Sequence, residues 1–305
     1  MITSRQHLLR IVTAFFVVAT LLLPSVASSQ SAIENAIQGF GKKNVEGYLQ
    51  PVADLFGANM NSGYYRSASI STFGFHLSLD IIGMAAPLSD DQKTYMASTP
   101  AGFDPATFQT STIFGEAGTT VTHTKAGLRY KGSDGIFNTK MFPFAVPQLT
   151  VGSVLGTDAF VRFVPVPKIG EDKIPPTTLW GVGVRHSISQ YIPLIPVDIA
   201  AGVLYSKMKT GDIFDASGLT YGVQVGKTFS VLSLYGGFNI ESSTLKVAYV
   251  STEPGAAGNV EIELVGKRKA SFTAGLGLSL GGIHLFGNAN LGSVTNFTAG
   301  LGFGN

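Results

Sequence analysis

The sequence of 305 residues contains no cysteine, and only 13% of its residues are charged. Without cysteine, the chain has no disulfide framework, no thiolate metal site and no thiol nucleophile, and it cannot carry the acylated cysteine of a lipoprotein. The formal net charge is +2, and the basic run 267–269 is too short to predict a nucleic-acid partner. These absences leave the hydrophobic pattern as the main signal.

Long apolar runs are also scarce. The run 11–23 follows two arginines and precedes the small-residue stretch 24–27. This order is typical of a secretory signal peptide, so we expect residues 1–27 to be removed. The alternative, an uncleaved anchor, is disfavoured because a membrane helix needs about 20 apolar residues. No later run is long enough either, so the mature chain is expected in the periplasm, outside the cell, or in the outer membrane as strands.

Strands with two different faces dominate the last third of the chain. In segment 272–280, Phe, Ala and Leu alternate with Thr, Gly and Ser, and the alternation returns in 297–303. A soluble sheet usually carries charge on its outward face, whereas an apolar face toward lipid and a small or polar face toward a lumen indicate a membrane barrel. We therefore predict an all-β fold, an antiparallel transmembrane β-barrel of about 12–14 strands, over residues 63–305. The pattern places Ala274 toward lipid and Gly275 toward the lumen.

Residues 28–62 differ from the rest and predict a short helical segment. Its apolar residues recur at helical spacing, with an N-cap at Asn44, a stop at Gly57 and a kink at Pro51. The residues that form its apolar face are Val45, Leu49, Val52 and Phe56. The segment is either a plug inside the lumen or a periplasmic appendage. The plug is favoured because an apolar helix needs a surface to cover it.

Long and short connections alternate along the predicted strands, as in outer-membrane barrels with long outer loops and short periplasmic turns. The predicted long loops lie near 86–106, 132–145, 166–177, 209–217 and 252–259. The segments 231–250 and 260–280 exceed the roughly 9–11 residues that a membrane strand needs. We therefore expect this pair to project beyond the membrane.

Five charged or titratable residues fall on the small-residue faces of the predicted strands. They are His76, Asp80, Arg162, Arg185 and Asp198. Because an arginine on the lipid face costs about 2–4 kcal/mol, these side chains are expected to point into the lumen. They either line a path or gate, or they form an internal ion-pair network that closes and stiffens the barrel.

Catalysis is not predicted. His76 and Asp80 share one strand face but lie about 13 Å apart, too far for a base and the carboxylate that orients it. His123, His186 and His284 lack the spacing of metal ligands. We therefore expect no enzyme activity, no cofactor and no metal site.

Two stretches carry a resemblance to a known family. They are 44–57, which reads NVEGYLQPVADLFG, and 187–202, which reads SISQYIPLIPVDIAAG. Both resemble an uncharacterised family of bacterial outer-membrane proteins that is defined only as a domain of unknown function. A helical segment before a barrel is also distantly similar to the outer-membrane transporters of long-chain fatty acids and aromatic hydrocarbons.

The resemblance implies a passive channel or transporter for small, hydrophobic molecules in the bacterial outer membrane. The implied partners are outer-membrane lipid, the barrel-assembly machinery and a small-molecule solute. No binding motif of the transporters can be matched here, and the chain ends Phe303-Gly304-Asn305 rather than on the aromatic that many barrels present to that machinery. The alternative is a structural or surface-interaction barrel whose lumen is closed.

Overall fold

The computed structural model describes residue 37 and residues 41–137, 139–167, 176–251 and 258–304, so the predicted signal peptide lies outside the described residues. One long helix, α1, spans Lys42–Met60. The strands in the described residues are β1 (His76–Pro87), β2 (Thr94–Ser98), β3 (Thr107–Ser111), β4 (Thr120–Thr122), β5 (Arg129–Lys131), β6 (Met141–Val154), β7 (Thr157–Val166), β8 (Thr177–Ser187), β9 (Asp198–Thr210), β10 (Phe214–Phe229), β11 (Leu232–Ser251), β12 (Gly258–Val265), β13 (Ala270–Leu280), β14 (Ile283–Gly292) and β15 (Asn296–Gly304).

The fold is a closed antiparallel barrel, which confirms the predicted fold class. Its ring has ten strands in the order β1, β6, β7, β8, β9, β10, β11, β13, β14 and β15, and β15 pairs with β1 to close it. The ring is therefore smaller than the expected 12–14 strands. The reason is that β2 pairs with β3 and β4 with β5, in two hairpins inside the β1–β6 connection, so this part of the chain adds no strand to the ring. The predicted strand 260–280 is divided at 266–269 into β12, which lies outside the ring, and β13, which belongs to it.

The two faces of the wall follow the predicted alternation. On β1, Leu77 and Leu79 are 45% and 40% exposed on the outward face, whereas Ser78 and Asp80 are 1% exposed inside the ring. The same arrangement holds around the wall, and the large exposed apolar side chains include Trp180, Val182, Val184, Tyr221, Val223, Phe238, Phe272, Leu276, Leu285 and Leu301. Among the described residues, no helix is long and apolar enough to cross a membrane.

The barrel has two unlike ends. One end, called here the short-turn end, carries the two-residue turns 155–156, 230–231 and 281–282 and the connection 188–197. The other, called here the long-loop end, carries the longest connection, 88–140, and also the three-residue turns 211–213 and 293–295. Tight hairpins at the short-turn end use left-handed residues, with φ of 56° at both Ser230 and Gly281. The loop expected at 209–217 is instead a turn of three residues, 211–213, because β9 and β10 stay paired up to Thr210 and Phe214.

Helix α1 lies inside the ring near the long-loop end. It contacts β1 and β6 on one side of the wall and β10 and β11 on the other, and β12 also packs against it. The helix begins after Gly41 and ends at Asn61, so the predicted boundaries at Asn44 and Gly57 are wrong, and it runs continuously through Pro51. The hairpin β11–β12 thus covers α1 with its inward face.

The lumen beside Gly275 of β13 has no space for a side chain. Gly275 faces the lumen as predicted, but a Cβ atom there would lie 2.5 Å from the ring of Tyr235 and 2.7 Å from Cβ of Asn288. An open lumen would accommodate such a Cβ atom, and this one does not. Gly275→Ser is therefore expected to disturb packing, and it cannot serve as a neutral control for the facing of β13.

A sharper test of the outward face uses Ala274, which is exposed on β13. Ala274→Arg is expected to impair assembly, because an arginine facing hydrocarbon near the midplane costs about 2–4 kcal/mol, whereas Ala274→Leu adds only apolar surface. The fraction of heat-modifiable protein on gels without boiling measures assembly. Equal assembly of the two variants would show that this face does not meet hydrocarbon.

Candidate functional site

The half of the lumen nearest the long-loop end, called here the upper lumen, is apolar. Val45, Leu49 and Phe56 of α1 are buried there, and Val52 is partly buried against the same cluster. The Phe56 ring packs edge-on against Phe144 with centroids 5.2 Å apart. The wall contributes Val146, Val164, Val166, Leu179, Leu245, Val247, Ile262 and Leu264 to this cluster. The interior of a transmembrane β-barrel is usually polar, whereas this half of the lumen is apolar and is filled by a helix.

The connection 88–140 closes the upper lumen over α1. Asn44 exchanges two hydrogen bonds with the backbone of Ser98, both 2.8 Å long. The Tyr48 hydroxyl donates to the carbonyl of Asp134 at 2.8 Å. The Asp134 carboxylate accepts from Lys131 and from the backbone N–H of Gly118, and these bonds lower its pKa.

The carbonyl end of α1 meets a buried ion pair in the middle of the lumen. Arg268, from the connection between β12 and β13, donates to Glu241 at 2.8 Å and to Asn296 at 2.8 Å. Its Nη2 donates to the carbonyl of Ala58 at 2.6 Å and to the Ser62 hydroxyl at 2.8 Å. Because helix carbonyl ends carry partial negative charge, a cation there stabilises α1 in its place.

A second arginine contacts the same helix end from the opposite part of the wall. Arg162 of β7 donates through Nε to Gln148 of β6 at 2.9 Å. Its Nη atoms reach the carbonyls of Met60 at 3.4 Å and Ser62 at 3.0 Å. None of the ion pairs within the described part of the chain includes Arg162.

The chain after α1 continues through the lower lumen to the short-turn end. Tyr64 stacks on Phe160 at 5.9 Å, and its hydroxyl donates to Asn239 at 2.8 Å. Tyr65 packs edge-on against Tyr235 at 5.6 Å. These aromatic contacts fill the space that an open channel would leave to water.

Ion pairs fix this segment to the wall near the short-turn end. Arg66 donates to both carboxylate oxygens of Asp80, at 3.0 and 2.8 Å. Arg185 donates to Asp158 at 2.7 Å and to the carbonyl of Ser67 at 2.7 Å. A cavity of about 60 Å³ remains between these groups. It has room for a few water molecules and not for a larger solute.

The histidine at this end has a serine beside it but not the order of a catalytic triad. His76 Nδ1 lies 3.0 Å from the Ser153 hydroxyl and 3.9 Å from a carboxylate oxygen of Asp158. In a serine hydrolase the serine and the carboxylate contact different ring nitrogens, so that one orients the base that the other uses. Here both lie nearest to Nδ1. Within the described residues, no group of three histidines or carboxylates could hold a metal ion.

Within the described part of the wall, the ring neighbours β6 and β7 are paired along only part of their length. The ladder between β6 and β7 ends at Gln148 and Arg162. Beyond it, β6 stays paired with β1 up to Met141, and β7 stays paired with β8 up to Val166. We call the unpaired stretch between 141–147 and 163–166 the seam.

Prolines explain the seam. Pro143 and Pro147 lie on β6 and Pro165 on β7, and each is paired on its other side. Proline has no backbone N–H to donate and is largely confined to the edges of sheets. The inward side chains beside the seam, Val146 and Val164, belong to the apolar cluster around α1.

The predicted lumen residues divide into separate groups. His76, Asp80 and Arg185 line the small cavity, whereas Arg162 lies apart from them at the end of α1. Asp198 is part-buried at the start of β9 and takes no part in the ion pairs of the described residues.

Sequence reasoning missed the residues that complete these groups. They are Arg66, Gln148, Asp158, Glu241 and Arg268. Glu241 shares its inward strand face with small and polar residues, which is the signal that identified the other candidates. Arg66 and Arg268 lie between strands, where alternation gives no signal.

The chain matches a family of unknown function, DUF6588, over residues 6–305. It belongs to this family. No curated protein matches the chain. Among solved structures, the toluene transporter TodX of Pseudomonas putida is 11% identical, with 88% of this chain and 77% of that chain covered and a TM-score of 0.27.

Two porins are also similar. A BenF-like porin from Pseudomonas fluorescens is 8% identical, covering 76% of this chain and 98% of that one with a TM-score of 0.18. A mutant of the Rhodopseudomonas blastica porin is 13% identical, covering 75% and 100% with a TM-score of 0.13. This barrel thus resembles outer-membrane transporters and porins, at a similarity too low to carry an argument about function.

The buried pair predicts a strong energetic coupling. Arg268→Met leaves Glu241 buried without its partner, and breaking such a pair costs about 3–5 kcal/mol. Adding Glu241→Gln is expected to recover part of this loss. Urea unfolding of the two single variants and the double variant measures the coupling free energy.

The exposed pair Lys246–Glu263, 3.6 Å apart on β11 and β12, provides the matched control. A cycle of Lys246→Met and Glu263→Gln is expected to give less than about 1 kcal/mol, because exposed pairs are screened by water. Equal coupling in the two cycles would contradict a buried ion pair at the end of α1.

Proposed function

We propose that this barrel lies in the outer membrane and passes small hydrophobic molecules between its apolar upper lumen and the surrounding hydrocarbon. The observation that carries the proposal is the seam, where the wall beside the apolar cluster has no ladder of hydrogen bonds. The N-terminal segment is the plug of this route. The inward charges nearer the short-turn end, His76, Asp80 and Arg185, belong to a polar floor beneath it, and Asp198 is assigned to the same floor.

The apolar outward face supports insertion into lipid by the barrel-assembly machinery. The long-loop end is assigned to the cell exterior, since outer-membrane barrels carry their longer connections there. In this orientation the connection 88–140 covers the outer side of α1.

The division of the lumen supports a hydrophobic cargo. A hydrophobic solute gains free energy in the chamber lined by Val146, Val164 and Leu245, at roughly 25 cal/mol per Å² of apolar surface removed from water. It gains nothing among the ion pairs of Asp80 and Asp158, where it would displace hydrogen-bonded groups. The polar floor therefore disfavours passage of a hydrophobic solute along the barrel axis, and the seam is the apolar exit from the upper lumen.

The second candidate function is a closed barrel that acts through its outer loops. The filled lumen favours a closed barrel, because hydrogen bonds and ion pairs hold α1 and the segment 61–69 to the wall at several levels along the barrel axis. In that case Arg162, Arg185 and Asp198 stabilise the barrel and line no path. The two candidates differ in whether α1 has to move.

A disulfide that fixes α1 distinguishes them, and the chain has no native cysteine to interfere. A Cβ atom on Gly57 would lie 2.6 Å from Cβ of Ser243, so Gly57→Cys/Ser243→Cys joins plug and wall after a shift of about 1 Å. The matched control Gly266→Cys/Ser243→Cys joins two positions that both lie outside α1, with their Cβ atoms 3.6 Å apart.

Uptake of the apolar dye 1-N-phenylnaphthylamine is measured in cells that express each variant, oxidised and then reduced. Oxidation of the plug-to-wall pair is expected to reduce uptake to that of cells without the barrel, and reduction to restore it, while the control pair has no effect. Uptake that never exceeds that of barrel-free cells would favour the closed barrel.

A second disulfide tests the seam itself. Continuing the β6–β7 register would place Val146 opposite Val164, so Val146→Cys/Val164→Cys is expected to hold the seam shut and to abolish dye uptake until it is reduced. The control is Leu149→Cys/Val161→Cys, at positions already paired below the seam. Unchanged uptake with the seam disulfide formed would remove the lateral route.

A further inference from the structure

Arg162 stands where the seam begins. It occupies the last paired position of β7, opposite Gln148 on β6, and its Nε–H donates across the strands to the Gln148 side chain at 2.9 Å. Its side chain is 2% exposed. The lower end of the seam is thus fastened by the ladder and by one side-chain bond.

The other hydrogen bonds of this guanidinium go to the plug. They reach the carbonyls of Met60 and Ser62, at the end of α1. The last turn of α1 contains no basic residue of its own. Since Arg162 belongs to none of the ion pairs of the described residues, the negative end of the helix and one amide oxygen are its compensation.

Arg268 contacts the same helix end, but it also has partners on the wall that do not depend on the plug. If the plug withdrew, Arg268 would lose Ala58 and Ser62 but keep Glu241 and Asn296. Arg162 would keep only Gln148. A buried charge without a partner is strongly disfavoured, so Arg162 would have to turn toward water.

We propose that Arg162 couples the position of the plug to the closure of the seam. With α1 in place, its bonds to the helix end hold the guanidinium against Gln148 and keep the last β6–β7 pair together. Withdrawal of α1 removes these acceptors, turns Arg162 away and loosens the seam from its lower end. By linkage, opening of the seam also weakens the hold on α1. This regulation rests on the plug and seam of the proposed function.

Two near-isosteric changes at one position test the coupling. Gln148→Glu gives Arg162 a counter-ion on the wall that does not depend on the plug, whereas Gln148→Met removes its wall acceptor. The Gln148 amide donates only bonds of 3.4 Å, to Tyr64 and Thr150. Its cross-strand neighbour Asp80 is already paired with Arg66, which limits repulsion of a glutamate at 148. In the Gln148→Glu variant, the plug is expected to leave the lumen more easily, because Arg162 keeps a carboxylate partner without it. In the Gln148→Met variant, Arg162 is expected to depend more strongly on the carbonyl groups at the end of α1.

Plug withdrawal is read from a reporter cysteine, Ala53→Cys, on a residue 3% exposed in α1. Its rate of reaction with a maleimide in the assembled full chain is expected to rise about 5-fold or more with Gln148→Glu, and not to rise with Gln148→Met. A similar rise in both variants would indicate general loosening and would overturn the proposal.

Seam closure is measured separately, by hydrogen exchange of the backbone amides of Phe163, Val164 and Val166, the residues of 163–166 that carry an N–H. Locking the plug through Gly57→Cys/Ser243→Cys is expected to slow this exchange about 5-fold or more in the otherwise unchanged chain, and to have no effect with Gln148→Glu. If the disulfide does not change the exchange rate in the otherwise unchanged chain, the coupling is refuted.

If Gln148→Glu does not assemble, Arg162→Met/Gln148→Leu replaces the charge and its acceptor together. The lock is then expected to have no effect on exchange at 163–166, and a persisting effect would overturn the proposal. Neither readout uses transport. If the plug lock changes exchange as expected but the seam disulfide does not change dye uptake, the route is refuted and the coupling stands. If the seam disulfide blocks dye uptake but the plug lock does not change exchange, the coupling is refuted and the route stands.

Discussion

The structure depends on how the carbonyl end of α1 is accommodated inside the barrel. A helix that ends in the middle of a lumen leaves carbonyl groups away from bulk water, and these need donors. The plug supplies no cation in its last turn, and the wall supplies Arg162 and Arg268 instead. Plug and wall therefore complete each other electrostatically. Removing α1 would open space and also leave buried groups without partners.

The facing of the wall could be predicted from the sequence, and the number of strands could not. Alternation along 76–81 or 272–280 indicates which side chains point outward because each strand carries that information by itself. Strand number depends on which segments pair. The stretches Thr94–Ser98 and Thr107–Ser111 are strand-like, but they pair with each other over α1 instead of entering the ring.

In the candidate site, too, the sequence predicts which way a side chain faces but not which residue it pairs with. The inward burial of Asp80, Arg162 and Arg185 follows from strand periodicity and the cost of a charge in lipid. Their partners do not, because Arg66 comes from an irregular segment and Gln148 from a different strand. An inward charge can be predicted one strand at a time, whereas the group that compensates it is fixed only by the closed ring.

The seam connects these points. A fully hydrogen-bonded wall around an apolar, plugged chamber would offer a solute no exit. The ladder between β6 and β7 is missing only in the stretch that contains Pro143, Pro147 and Pro165, which have no backbone N–H group to donate. The unpaired stretch lies beside the apolar cluster and ends at the one buried arginine that has no carboxylate partner in the described residues. Because that arginine is compensated by the plug, the weakest part of the wall is closed most firmly while the plug is in place. The same contact that seats α1 thus determines when the wall beside it is free to open.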